Sequence, residues 1–184
     1  MRGRIAAFCL LASAGLGVAP AAASAVGFGV TYLASDQPGV AKTTDPLLIN
    51  AWGLASSAGS PFWTGSNGSG TSELYNGAGV KQAMVVTIPG DGSVTGVVFS
   101  GVAGSFNGDT FLFDSEDGTI SGWRNALGTN AEILQAASPS NVYKGLAAAT
   151  ISGNGYAYAA NFRTGKIDVL KGNGRRAEPH GHVH

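Results

Sequence analysis

Cysteine is almost missing from this chain. The single one, Cys9, lies inside the apolar run of residues 5–18 and not at a cleavage point, where a lipid acceptor would sit. The rest of the chain therefore has no disulfide framework and no thiolate metal site. Charge is also sparse. Asp, Glu, Lys and Arg make up 12% of the residues, 11 basic against 11 acidic. No Lys/Arg cluster interleaves with aromatics, which excludes a nucleic-acid footprint. Histidine is absent between Val26 and Pro179, so a Ser-His-Asp mechanism has no base there. There is no Gly-x-Ser-x-Gly elbow, no phosphate-binding Gly-x-x-x-x-Gly-Lys-Ser/Thr and no His-Glu-x-x-His. A sustained apolar period of 3.6 is missing too, which predicts almost no helix after residue 25.

Glycine is abundant, 29 of 184 residues, and its placement is regular. Gly70-Thr71-Ser72-Glu73-Leu74-Tyr75, Gly118-Thr119-Ile120-Ser121-Gly122-Trp123 and Gly165-Lys166-Ile167-Asp168-Val169-Leu170 each open with Gly and end in an apolar or aromatic residue. Their spacing falls within the roughly 40–50 residues of a propeller blade, a unit of four short strands. Strands are expected at 50–56, 61–65, 71–76 and 82–88, then at 95–101, 109–114, 119–124 and 131–136, then at 144–150, 155–161 and 166–171. No fourth strand is expected in the third repeat. The runs VVF, FLF and MVVTI predict strands buried on both faces. Residues 30–35 form one more strand-like segment.

The fold class is thus all-β, a β-propeller with about three blades in an incomplete ring. Residues 1–25 read as a signal peptide: Arg2 and Arg4, an apolar run too short to span a bilayer, then Ala23-Ser24-Ala25. This predicts export to the periplasm or beyond the cell, with no membrane span after cleavage. Residues 26–171 form the partial propeller, in repeats of about 45–92, 93–140 and 141–171. Residues 172–184 are expected to be a disordered tail. It carries all three histidines, His180, His182 and His184, a set able to bind a transition metal adventitiously.

The segments Ser35-Asp36-Gln37-Pro38-Gly39-Val40-Ala41, Asn50-Ala51-Trp52-Gly53-Leu54-Ala55, Glu116-Asp117-Gly118-Thr119-Ile120-Ser121-Gly122-Trp123, Tyr143-Lys144-Gly145-Leu146-Ala147 and Asn161-Phe162-Arg163-Thr164-Gly165-Lys166-Ile167-Asp168-Val169 carry a family likeness. Together they resemble an uncharacterised family of exported bacterial β-propeller proteins with NHL-like blades, some ending in an exosortase sorting signal. Members of that family are much longer, so the resemblance implies an N-terminal half, either a truncated product or a genuine half-propeller. It implies no established activity.

Blade geometry gathers one loop face, where propeller ligands often bind. Its candidate binding residues are Asp45, Asn50, Asn67, Glu116, Asp117, Asn141, Lys144, Asn161 and Arg163. The function expected is a non-catalytic exported binding or scaffold module for a small molecule, glycan or protein. The open blade faces make self-association a further expectation. The alternative is a metal-dependent hydrolase of the lactonase type, because such propellers hold a divalent metal on this face with Glu, Asn and Asp. No cofactor is required on the first reading, and Ca²⁺ or another divalent ion on the second. Asp114, Glu116 and Asp117 are a candidate Ca²⁺ cluster or an acidic hairpin. Trp52, Trp63, Trp123 and Tyr75 form either a sugar-stacking surface or inter-blade packing. Asn67-Gly68-Ser69 fits the glycosylation sequon.

Overall fold

A computed structural model describes residues 27–173 and 176–183. The proposed signal peptide and its Cys9 lie outside the described residues. The chain divides into two units at Val30 and Thr31. Of the first, only residues 27–30 are described, and they form no helix or strand.

The second unit is built of three four-stranded antiparallel sheets, each a simple meander in chain order. Two short strands precede them, β1 (Ala34–Ser35) and β2 (Thr43–Thr44), paired with each other in parallel. Blade 1 is β3 (Ala51–Ala55), β4 (Phe62–Ser66), β5 (Thr71–Tyr75) and β6 (Lys81–Thr87). Blade 2 is β7 (Val94–Phe99), β8 (Phe111–Ser115), β9 (Ile120–Trp123) and β10 (Glu132–Gln135). Blade 3 is β11 (Tyr143–Ile151), β12 (Asn154–Asn161), β13 (Lys166–Asn173) and β14 (Arg176–Val183). Among the described residues the only helices are two 3-10 turns, Phe106–Gly108 and Asn125–Leu127. The protein is all-β, an incomplete β-propeller whose three blades fall short of the four to eight of a closed ring.

Two expectations are corrected. The third blade does have a fourth strand: β14 pairs antiparallel with β13, from Asn173↔Arg176 to Ile167↔Val183. Of the disordered tail expected at 172–184, residues 172–173 and 176–183 lie in strands. Polar residues with Pro179 and Gly181 hid the strand, because an outermost strand needs no apolar run. The segment at 30–35 contributes only the two residues of β1, and these join β2 and no blade.

Apolar side chains sit between blades. Trp63, Leu74, Val86, Val97, Phe111, Phe113 and Trp123 form a core cluster from blades 1 and 2. Phe106, Leu112, Ile120, Tyr143, Ala157, Ala159 and Leu170 form the cluster of blades 2 and 3. Trp63 stacks on Phe111 with ring centroids 4.3 Å apart and 18° between planes. Blade 2 thus has neighbours on both faces, and every residue of β8 is buried. That accounts for the unbroken FLF run. The MVVTI run lies mostly in β6, an outermost strand, where only Val86 is fully enclosed.

Candidate functional site

In each blade the second and third strands meet in a hairpin: residues 67–70, 116–119 and 162–165. The innermost strands β3, β7 and β11 pack side by side, with β7 in the middle. Their first residues lie at the hairpin end of each blade, as the pairs Ala51↔Ser66 and Tyr143↔Asn161 show. One rim of the propeller therefore collects the three hairpins and the starts of the inner strands.

A continuous polar chain crosses this rim from blade 1 to blade 3. Asn50, in the left-handed region at φ 50°, donates from its amide to Asn67 Oδ1 at 3.1 Å. Asn67 donates to Glu116 Oε2 at 3.3 Å. The other Glu116 oxygen forms an ion pair with Lys144. Lys144 Nζ also lies 4.9 Å from the centroid of the Trp52 ring, a cation–π contact back to blade 1. Trp52 itself is 48% exposed. The rim thus presents an aromatic plate beside an amide, a carboxylate and an ammonium group, all partly open to solvent.

A second group lies beside it, centred on the buried side chains of Asn161 and Tyr143. Asn161 donates to Asn141 Oδ1 at 3.0 Å and to Asp168 Oδ2 at 2.8 Å, while its own oxygen accepts from the Val142 amide. Tyr143 donates its hydroxyl to Asp168, and Gln135 donates to the Tyr143 oxygen at 2.8 Å. Burial, with the Asp168 carboxylate beside it, raises the Tyr143 phenol above its ordinary range. This group clamps the third hairpin onto β11 and β10.

Of the nine candidates, the structure links Asn50, Asn67, Glu116 and Lys144 directly, and it links Asn141 to Asn161 in the second group. The other three stand apart. Asp117 braces turns: it accepts the Thr119 amide at 2.8 Å and the Asp91 amide at 3.0 Å. Arg163 is exposed on the third hairpin. Asp45 is buried against blade 1, where it accepts from Lys81 at 2.7 Å and from the Tyr75 hydroxyl. Burial by itself would raise Asp45, but Lys81, Tyr75 and the Leu47 amide outweigh it and hold the carboxyl below its ordinary value. Asp45 is a fastening for the segment before β3, and its placement with the rim is corrected.

The acidic run of the second hairpin diverges in the same way. Asp114 is fully buried and accepts from Thr95 at 2.8 Å and the Gly96 amide at 2.6 Å. Burial raises it above the usual carboxylate range, against those hydrogen bonds. With Glu116 held by Lys144 and Asp117 by backbone amides, the three carboxylates do not converge. Among the described residues no three His, Cys, Asp or Glu side chains come together as a metal-binding set. His180 and His182 fall within β14, and His184 lies outside the described residues.

The aromatic set divides. Trp63 and Trp123 are buried in the cluster of blades 1 and 2, and Tyr75 is buried with its hydroxyl donating to Asp45. Trp52 stays on the rim, so it is the residue for which the sugar-stacking reading survives. Asp168, Tyr143 and Gln135 were missed from sequence. Asp168 and Glu73 both stand three residues past their hairpin glycine, and that shared register was the signal.

No family model and no curated protein matches this sequence. Among solved structures the chain is similar to a streptogramin B lyase, at 11% sequence identity and a TM-score of 0.45. The match covers 73% of this chain and 55% of that one, so the chain spans about half of that protein's length.

Proposed function

We propose that the protein is an exported, non-catalytic binding module whose rim takes a carbohydrate. The exposed face of Trp52, set beside Asn67, Glu116 and Lys144, carries this reading. A sugar ring offers an apolar face that stacks on indole and hydroxyl groups that exchange hydrogen bonds with amide and carboxylate. The Lys144–Glu116 pair presents both charges close together, so hydroxyls can be accepted and donated without a net charge on the ligand. Export rests on the pattern of residues 1–25. The metal-dependent alternative would need carboxylates converging on the rim, and Glu116 there is neutralised by Lys144.

Intrinsic tryptophan fluorescence, titrated with a panel of neutral and acidic oligosaccharides, tests the reading. We expect saturable quenching for at least one sugar, lost in Trp52→Ala with the fold unchanged by circular dichroism. Absence of quenching and of calorimetric heat at millimolar sugar would overturn it.

A further inference from the structure

The three inner strands share a local pattern. β3 carries Trp52-Gly53-Leu54, β7 carries Thr95-Gly96-Val97 and β11 carries Lys144-Gly145-Leu146. Gly53 and Gly96 each face the next blade. A Cβ on Gly53 would stand 2.6 Å from the Val97 backbone nitrogen, and one on Gly96 would stand 2.6 Å from that of Leu146. The glycine of one blade is therefore a socket, and the residue after the glycine in the following blade is its plug. Val97 is buried in its socket, and Leu146 packs on the cluster of blades 2 and 3.

Among the described residues the series has one free socket and one free plug. A Cβ on Gly145 would meet nothing within 4 Å. Leu54, the counterpart of Val97 and Leu146, is 65% exposed. Around Leu54, the free face of blade 1 holds an apolar hollow of about 240 Å³ lined by Leu33, Leu48 and Phe62 among others. On blade 3, strand β12 alternates: Ala157 and Ala159 are buried toward blade 2, while Tyr156 and Tyr158 stay half-buried on the free face. Both faces are largely apolar, with the Lys171 ammonium over the Tyr156 ring on the blade 3 face, and they are the two complementary halves of an interface that this chain already makes twice.

We propose that two copies of this chain pair, with Leu54 of each entering the Gly145 socket of the other. The occupant is a second copy because one chain supplies both halves. Two copies related by a two-fold axis fill both sockets at once. Three blades from each give six, inside the range of closed propellers. The pairing goes beyond the carbohydrate reading and does not depend on it.

Sedimentation of the full chain across a concentration series tests the proposal without any sugar, so its failure leaves the ligand reading standing. We expect a dimer. In Gly145→Val, where the new side chain meets open space in the single chain, we expect a folded monomer with an unchanged circular dichroism spectrum. Leu54→Asp should weaken the dimer at least tenfold. A wild-type monomer at all concentrations, a dimer that persists in Gly145→Val, or open-ended polymers would each overturn the closed pair.

Discussion

Asn161 donates to Asp168 at 2.8 Å across the third hairpin, as Ser66 donates to Glu73 across the first. In both blades the donor ends the second strand, and the carboxylate stands three residues after the hairpin glycine, Gly70 or Gly165. Glu73 is completely buried and takes further hydroxyl donors from Thr64 and Thr71. Blade 2 has Ser115 and Ser121 at these two places, and Ser121 Oγ has no partner among the described residues. A polar clamp therefore closes the first and third hairpins, and the second is held by Asp117 and its backbone partners.

The clamp should be measurable. Asn161 is 2% exposed and serves Asn141, Val142 and Asp168 together. Removing it takes one hydrogen bond each from the half-buried Asn141, Val142 and Asp168 and opens a gap beside the buried Tyr143, which costs about 1–3 kcal/mol. We expect Asn161→Ala to lower the unfolding free energy from urea titration by that amount, with a lower midpoint. Asn161→Asp should cost more, because it sets two carboxylates side by side. A midpoint equal to wild type in both would show that the hairpin is held elsewhere.

The interface of blades 1 and 2 depends on Trp63, 2% exposed, stacked on Phe111 and tilted 4.6 Å from Trp123. Truncating an aromatic of this size in a packed core costs about 3–5 kcal/mol. We expect Trp63→Ala to destabilise the protein by that amount, or to unfold it, in denaturant titration followed by circular dichroism. Trp52→Ala, on the exposed rim, should change stability by less than about 0.5 kcal/mol. Equal losses from the two would contradict their assignment to core and rim.

Much of this architecture is legible in the sequence, because glycines punctuate hairpins and apolar runs mark the inner strands. Eleven of the twelve blade strands lie within a few residues of where turn signals place them. The twelfth, β14, is invisible for a physical reason: one side of an outermost strand needs no partner, so its sequence is free to be polar. The rim was only partly legible. Asn50, Asn67, Glu116 and Lys144 could be placed from their hairpins and inner strands. Asp45 could not, because its position depends on Lys81 and Tyr75, distant in sequence. Nor could the sequence separate Trp52 from Trp63. Both sit in repeated strands, and only the packing of the blades decides which is covered.

The glycine sockets make a graded prediction. Gly53→Ala and Gly96→Ala each bring a methyl group to 2.6 Å from the backbone of the next blade. Overpacking against backbone costs about 1–3 kcal/mol. Gly145→Ala meets nothing within 4 Å. We expect thermal melts under dilute, monomeric conditions to show losses for the first two and none for the third. Equal losses at all three would mean that the glycines serve the strands themselves and not the contact between blades.

Asp109 should contribute, alongside the buried Asp114, to the acid side of the stability curve. Its side chain is fully buried, and Oδ2 has no partner among the described residues. Burial pushes its pKa up to about 6, against the Arg124 guanidinium 2.9 Å from the other oxygen. Arg124 also serves Glu132. Burial opposes ionisation of Glu132, but the guanidinium and the Asn107 amide outweigh it and hold that carboxyl below its ordinary value. Between about pH 4, the ordinary Asp value, and about 6, the folded chain keeps a proton on Asp109 that the unfolded chain has released. Stability from this group is fully present below that window, falls as pH rises through it, and is level above. Asp109→Asn mimics the neutral form at every pH. We expect its urea midpoint, measured at intervals from pH 4 to 7, to decline less than that of wild type and to exceed wild type at pH 7, with Asp114 contributing the remainder. Parallel curves for the two proteins would show that Asp109 ionises in the folded state as it does in the unfolded chain.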